Sequence, residues 1–146
     1  MISRLFVLFI IVISICFPSV SIADQRNDPR EQAISDTLDL WREGKYEQMY
    51  NLLSHRGSMN RERFVSMLRD ASLTPSCCHL KLNDFKLINE KRTTSKVFAK
   101  IGMEGLSMTN SSHSREFTLD HEEGRWKMRL ADIKAIAGKS KNKKKK

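Results

Sequence analysis

Two adjacent cysteines followed by a histidine, Cys77-Cys78-His79, are the residues of this chain with the widest choice of chemistry. In an oxidising compartment neighbouring thiols can close a vicinal disulfide, pair with another chain or stay reduced, and an imidazole beside them adds a soft-metal site to the choices. Two adjacent thiols and one histidine lack the spaced ligand pairs of a structural zinc site, which argues against a metal. The plainer alternative is a pair of small apolar residues at the start of a strand. The expectation at Cys77 and Cys78 is a disulfide or packed thiols, with no metal and no cofactor.

Met49, Met59, Met67, Met103, Met108 and Met128, with four histidines, could hold copper in an exported protein. Most of these methionines fall at core spacing, and packing accounts for them better. His55, His113 and His121 fall in expected loops. An acid-base set could be assembled from Asp84, His79, Tyr50 and Asp120, but nothing in their spacing puts them in one pocket, so no catalytic residue is assigned.

Arg4 followed by the apolar run from Leu5 to Phe17 and by Ser21-Ile22-Ala23 has the form of an export signal cut after Ala23. The apolar run is shorter than the ~20 residues that span a bilayer, and Pro18 interrupts it. Cys16 follows Ile15, where a lipoprotein signal needs a small residue, so it leaves with the signal. The domain organisation is therefore residues 1–23 as a cleavable signal, 24–137 as one domain and 138–146 as a lysine-rich tail. Location outside the cytoplasm, periplasmic or secreted, follows as an expectation. The net charge of +9 sits mostly at the ends, because Lys139, Lys141, Lys143, Lys144, Lys145 and Lys146 carry six units and Arg4 one. An almost neutral domain argues against a dedicated nucleic-acid face, while the tail suits contact with an anionic envelope surface or simple solubilisation.

The elements that must position these residues follow from periodicity. Asp28 as N-cap, Pro29 at the first helical position and Glu31 in the first turn begin a helix; Ala33, Ile34, Thr37, Leu38 and Trp41 share a face, and Gly44 stops it. A second helix is expected over about Tyr46 to Leu53, and a third from Asn60 that buries Phe64, Val65, Met67 and Leu68 before Pro75. From His79 the period becomes two. Leu80 and Leu82 have one parity, Phe85 and Leu87 the other, so a β-bulge near Asn83-Asp84 is needed. Val97, Ala99, Ile101 and Met103 alternate, as do Phe117 with Leu119 and Trp126 with Met128 and Leu130. The connections expected are 89–94, 105–114 and 121–124. In the last hairpin, Leu119 opposite Trp126 and Phe117 opposite Met128 would put four apolar residues inward, with Asp120 opposite Arg125 and Glu116 opposite Arg129. Helices followed by antiparallel strands mean an α+β fold, three helices on a curved sheet of about four strands.

The segments Leu40-Trp41-Arg42-Glu43-Gly44-Lys45-Tyr46-Glu47-Gln48-Met49-Tyr50-Asn51-Leu52-Leu53-Ser54, Asn60-Arg61-Glu62-Arg63-Phe64 and Glu123-Gly124-Arg125-Trp126-Lys127-Met128 resemble the NTF2-like superfamily, the cystatin-like α+β cone, in its small exported members. The resemblance implies helices packed on a bent sheet with a pocket at the open end. Such pockets host isomerases, dehydratases and cyclases in some relatives, and plain binding or assembly in others. No residue set here maps onto the carboxylate base and tyrosine of the isomerase relatives.

The expected inward set is Ile34, Leu38, Trp41, Tyr50, Leu53, Phe64, Leu68, Val97, Phe117, Trp126 and Met128. It fills much of the cone, so any remaining pocket is expected to be small and greasy. Its expected lining is Trp41, Tyr50, Phe64, Phe117 and Trp126, for a small ligand or a protein partner. Asp84, Asp120, His79 and His121 are expected within reach of water at a bulge, a turn or strand ends. The leading expectation is a binding module without turnover; the alternatives are an isomerase or lyase with a pocket acid-base group, and a homodimeric assembly module.

Overall fold

The computed structural model describes residues 28–105 and 110–138. The expected signal, the tail lysines and Met108 lie outside the described residues, and so do the boundaries at 23 and 24. The first helix, α1 (Pro29–Arg42), begins as its sequence requires: the Asp28 carboxylate accepts the Arg30 N–H at 2.8 Å and Pro29 takes the first position. Gly44, at φ +72, turns the chain into α2 (Tyr46–Leu52). A single 3₁₀ turn (Arg56–Ser58) leads to α3 (Arg61–Arg69), capped by Asn60, whose side-chain oxygen accepts the Arg63 N–H at 3.0 Å.

Five antiparallel strands follow: β1 (Leu73–Pro75), β2 (Leu82–Glu90), β3 (Thr94–Gly105), β4 (Asn110–Glu122) and β5 (Arg125–Met128). Together they make a curled α+β sheet. β3 is its axis. β4 pairs with it from Thr94/Asp120 to Glu104/Asn110, and on its other side β2 and β1 lie end to end, against Ser95 to Ile101 and Met103 to Gly105. The bulge falls where the parity demanded it: Asp84 and Phe85 together face Ala99, with Asp84 at φ 52, and a second bulge lies between Leu87 and Asn89. β4 starts at Asn110, inside the stretch expected to be loop.

The last hairpin corrects the expected register. Leu119 faces Met128, Asp120 faces Lys127 and His121 faces Trp126, a slip of two residues. The cause is the turn: Glu123 and Gly124 both take positive φ, 54 and 75, and such a two-residue turn matches the strand twist better than the four-residue loop expected. Because the slip is even, every side chain keeps its face.

A fourth helix, α4 (Leu130–Ile136), was not expected from the sequence. Leu130, Ile133, Ile136 and the following Ala137 are all buried, in one cluster with Ile34, Leu38 and Trp41 of α1, Phe64 and Leu68 of α3, and Val97, Ala99, Ile101, Met103, Phe117, Leu119 and Met128 of the sheet. Each buried Leu, Ile or Phe contributes roughly 1.5–3 kcal/mol, so α4 is part of the core and not an appendage. Asp132 ties it down by accepting the Thr118 N–H of β4 at 3.3 Å. The opposite face of the sheet carries Lys96, Phe98 and Lys100 of β3 with Lys86 beside them, and Leu87 and Ile88 of β2 are exposed. No described helix is long and apolar enough to cross a membrane.

Candidate functional site

An open cleft of about 270 Å³ lies between α1 and the β4–β5 hairpin. Pro29, Ala33, Leu52 and Trp126 give it apolar walls, and Gln32, Asp36, Thr37, Arg125 and Lys127 give it polar ones. Trp126 is half-buried, with the Arg30 guanidinium 5.4 Å from its ring and the His121 ring at 4.9 Å. Arg30 is fixed in turn by Asp28 (3.1 Å) and by two bonds to Glu90 (3.1 and 3.2 Å). A cation fixed near an indole contributes about 0.5–1 kcal/mol at an accessible site and holds the ring in place. Lys127 is buried to the level of its ammonium, which reaches Glu123 at 2.7 Å and Glu122 at 3.4 Å. The Lys127 ammonium, by its hydrogen bond and its charge, holds the Glu123 carboxyl below the usual range.

A second polar cluster is built where α2 ends against β5. Ser54 N–H donates to Met128 O (2.9 Å) and Leu130 N–H to Ser54 O (3.2 Å), so this segment runs parallel to the strand end. The pairing brings Ser54 Oγ within 2.7 Å of Asp120 Oδ2, and His55 Nε2 within 3.2 Å of the same oxygen. Arg129 grips the carboxylate with both Nε (2.9 Å) and Nη2 (2.7 Å). Burial alone would raise the Asp120 carboxyl, but hydrogen bonds from Arg129 and Ser54 and the nearby charges outweigh it, and the group lies below its usual range. This corrects the expectation that water reaches Asp120. A serine, a histidine and an aspartate are together here, yet Ser54 donates directly to the aspartate and is itself buried, so no nucleophile is presented to a substrate.

Between β1 and β2 the chain leaves the sheet for Ser76 to Lys81, and here the Cys77 and Cys78 sulfurs are 2.05 Å apart, a vicinal disulfide. Cys78 takes φ 59 and is exposed. The excursion presses on Gly102: Ser76 N–H donates to Gly102 O (2.9 Å), Gly102 N–H to Lys81 O (3.1 Å), and a Cβ at Gly102 would lie 2.1 Å from Leu80 O. His79 is exposed beside the pair.

Of the five residues expected to line a pocket, only Trp126 lines this cleft. Trp41, Phe64 and Phe117 are fully buried in the core, in one cluster with Leu130, Ile133 and Ile136 of α4. Tyr50 packs against Phe64 with ring centres 5.4 Å apart and planes tilted by 56°, and its hydroxyl donates to Met59 O at 2.7 Å. Asp84 and His79 are exposed, so the acid-base set written from the sequence is not assembled. Met49, Met103 and Met128 are core residues. The sequence reading missed Ser54 and the role of Arg129, since a long-range polar pairing leaves no periodic trace.

No protein-family model matches the chain, and no curated protein matches it. Among solved structures it is similar to a SEC-C motif containing protein from Rhodopseudomonas palustris, at 9% identity and a TM-score of 0.44, over 62% of this chain and 67% of that one.

Proposed function

We propose that the chain is an exported NTF2-like domain, periplasmic or secreted, that binds a small ligand without turning it over, and that the ligand sits in the Trp126 cleft. The observation that carries this reading is the half-buried indole, held in place by Arg30 at the mouth of a mostly apolar cleft. At about 270 Å³ the cleft is near the small end of ligand sites and suits a compact, flat molecule with one hydrogen-bonding group. The absence of turnover is supported by Asp120, whose acceptor positions are taken by Arg129, Ser54 and His55 and which lies outside the cleft. It is supported also by Lys127, whose ammonium is engaged by two carboxylates.

The test is a screen of small planar compounds against the full-length protein, read by NMR at the two indole N–H signals. The expected result is saturable movement of the Trp126 signal with Trp41 unchanged, and loss of binding in Trp126→Ala. A compound consumed over time by the protein, or hits that map away from Trp126, would overturn the reading.

A further inference from the structure

The β2–β3 hairpin turns through Lys91, Arg92 and Thr93, closed by the Lys91 N–H donating to Thr94 O at 2.7 Å. At this end of the sheet Asn89, Lys91, Thr94, Lys96, Thr118 and Arg129 line an open groove of about 360 Å³, which shares no lining residue with the Trp126 cleft. The lining consists of three cations, two hydroxyls and a carboxamide, without an acid or an apolar side chain.

The neighbouring carboxylates each face a cation: Asp132, which accepts the Thr118 N–H, lies 3.7 Å from Arg115, and the Arg30 that holds Glu90 is shared with Asp28. Glu90 is held by Arg30 through two bonds, and Asp120 by Arg129 through two more. Lys91 and Lys96 have no ion-pair partner among the described residues. The grip of Asp120 uses Nε and Nη2 of Arg129 and so fixes the plane of the guanidinium, while Nη1 has no hydrogen-bond partner among the described residues. Backing carboxylates of this kind hold an arginine ready for an incoming anion instead of leaving it to be ordered on binding.

We propose that this groove binds a phosphate group, as a phosphate monoester or the free ion. Two uncompensated lysines match the charge of about −1.5 to −2 that a monoester carries near neutral pH. Arg129, Thr94, Thr118 and Asn89 supply directional donors around its oxygens. A carboxylate, with one negative charge and two oxygens, would leave most of this donor set unused.

The experiment is an NMR titration of the full-length protein, tail included, with inorganic phosphate in one arm and vesicles containing phosphatidic acid in the other. Saturable shifts confined to residues 89–96, Thr118 and the Arg129 side chain are expected with inorganic phosphate. The Lys91→Gln/Lys96→Gln double variant is expected to weaken binding about tenfold or more, since each substitution removes a charge-assisted donor. Both lysines are exposed, so this variant should melt at the wild-type temperature. Glutamine at Lys143 to Lys146 should leave the groove's affinity unchanged. Shifts at the same residues with vesicles only would support the site and assign the phosphate to a lipid headgroup. Shifts that grow without saturation, that map to the tail, or that persist in the double variant would overturn the proposal.

Discussion

Replacing Asp120 with asparagine separates a structural carboxylate from a catalytic one. Oδ2 of Asp120 receives Ser54 Oγ and Arg129 Nε, with His55 Nε2 3.2 Å away, and Oδ1 receives Arg129 Nη2. An amide keeps only one of these oxygens, so the least costly orientation points its NH₂ at Nη2, donor against donor. One charge-assisted bond is lost outright, worth about 1.5–3 kcal/mol, and the two others weaken. Arg129 is 34% exposed and recovers part of the loss from water, which brings the expected cost to about 2 kcal/mol.

The pH dependence has a definite sign. The folded Asp120 carboxyl lies below 3.8, so the unfolded chain binds the proton more readily; the stabilisation is complete above that value and is lost as the pH falls through the folded value. Urea denaturation of the wild-type protein and Asp120→Asn should show a gap that does not narrow from about pH 7 to about pH 5 and closes only in stronger acid. A cost under about 0.5 kcal/mol would refute the network argument. A gap already closing between about pH 7 and pH 5 would mean that the carboxyl titrates where an acid-base catalyst does, and would revive the enzyme reading.

Two further substitutions test the frame around the sites. Gly102→Ala places a Cβ 2.1 Å from Leu80 O, so the Ser76 to Lys81 excursion must lift and strain its two bonds to Gly102; a loss of about 3 kcal/mol is expected in urea denaturation, against little change for Gly57→Ala, which meets nothing within 4 Å. Ile133→Ala should cost about 2–5 kcal/mol if α4 belongs to the core, and a cost below about 1 kcal/mol would show that the helix is merely docked.

Local signals in the sequence were legible where a residue's own chemistry sets its structure. Asp28 and Asn60 cap as expected, Gly44 turns as expected, and the bulge lies at the parity change between Leu82 and Phe85. The hairpin register was out of reach because face alternation repeats every two residues, and only the turn at Glu123-Gly124 distinguishes slips of that size. α4 was missed because Leu130, Ile133 and Ile136 follow directly on strand alternation, and seven residues are too few for a helical period to stand out. The site was less legible: Trp41, Phe64 and Phe117 pack in the same cluster as α4, and of the expected lining only Trp126 meets the cleft. The Asp120 network joins residues 54, 120 and 129, and separations of that kind are set by tertiary pairing alone.

Because Ile136 and Ala137 are buried and Gly138, at φ +72, ends the helix, the lysines that follow are fastened to the core and not to a loop. Mechanically this is a firm anchor. Each residue of chain reaches at most about 3.6 Å, so Lys139 to Lys146 can span no more than about 29 Å from Gly138. A pull on the chain beyond Gly138 is delivered to α4 and through it to the sheet.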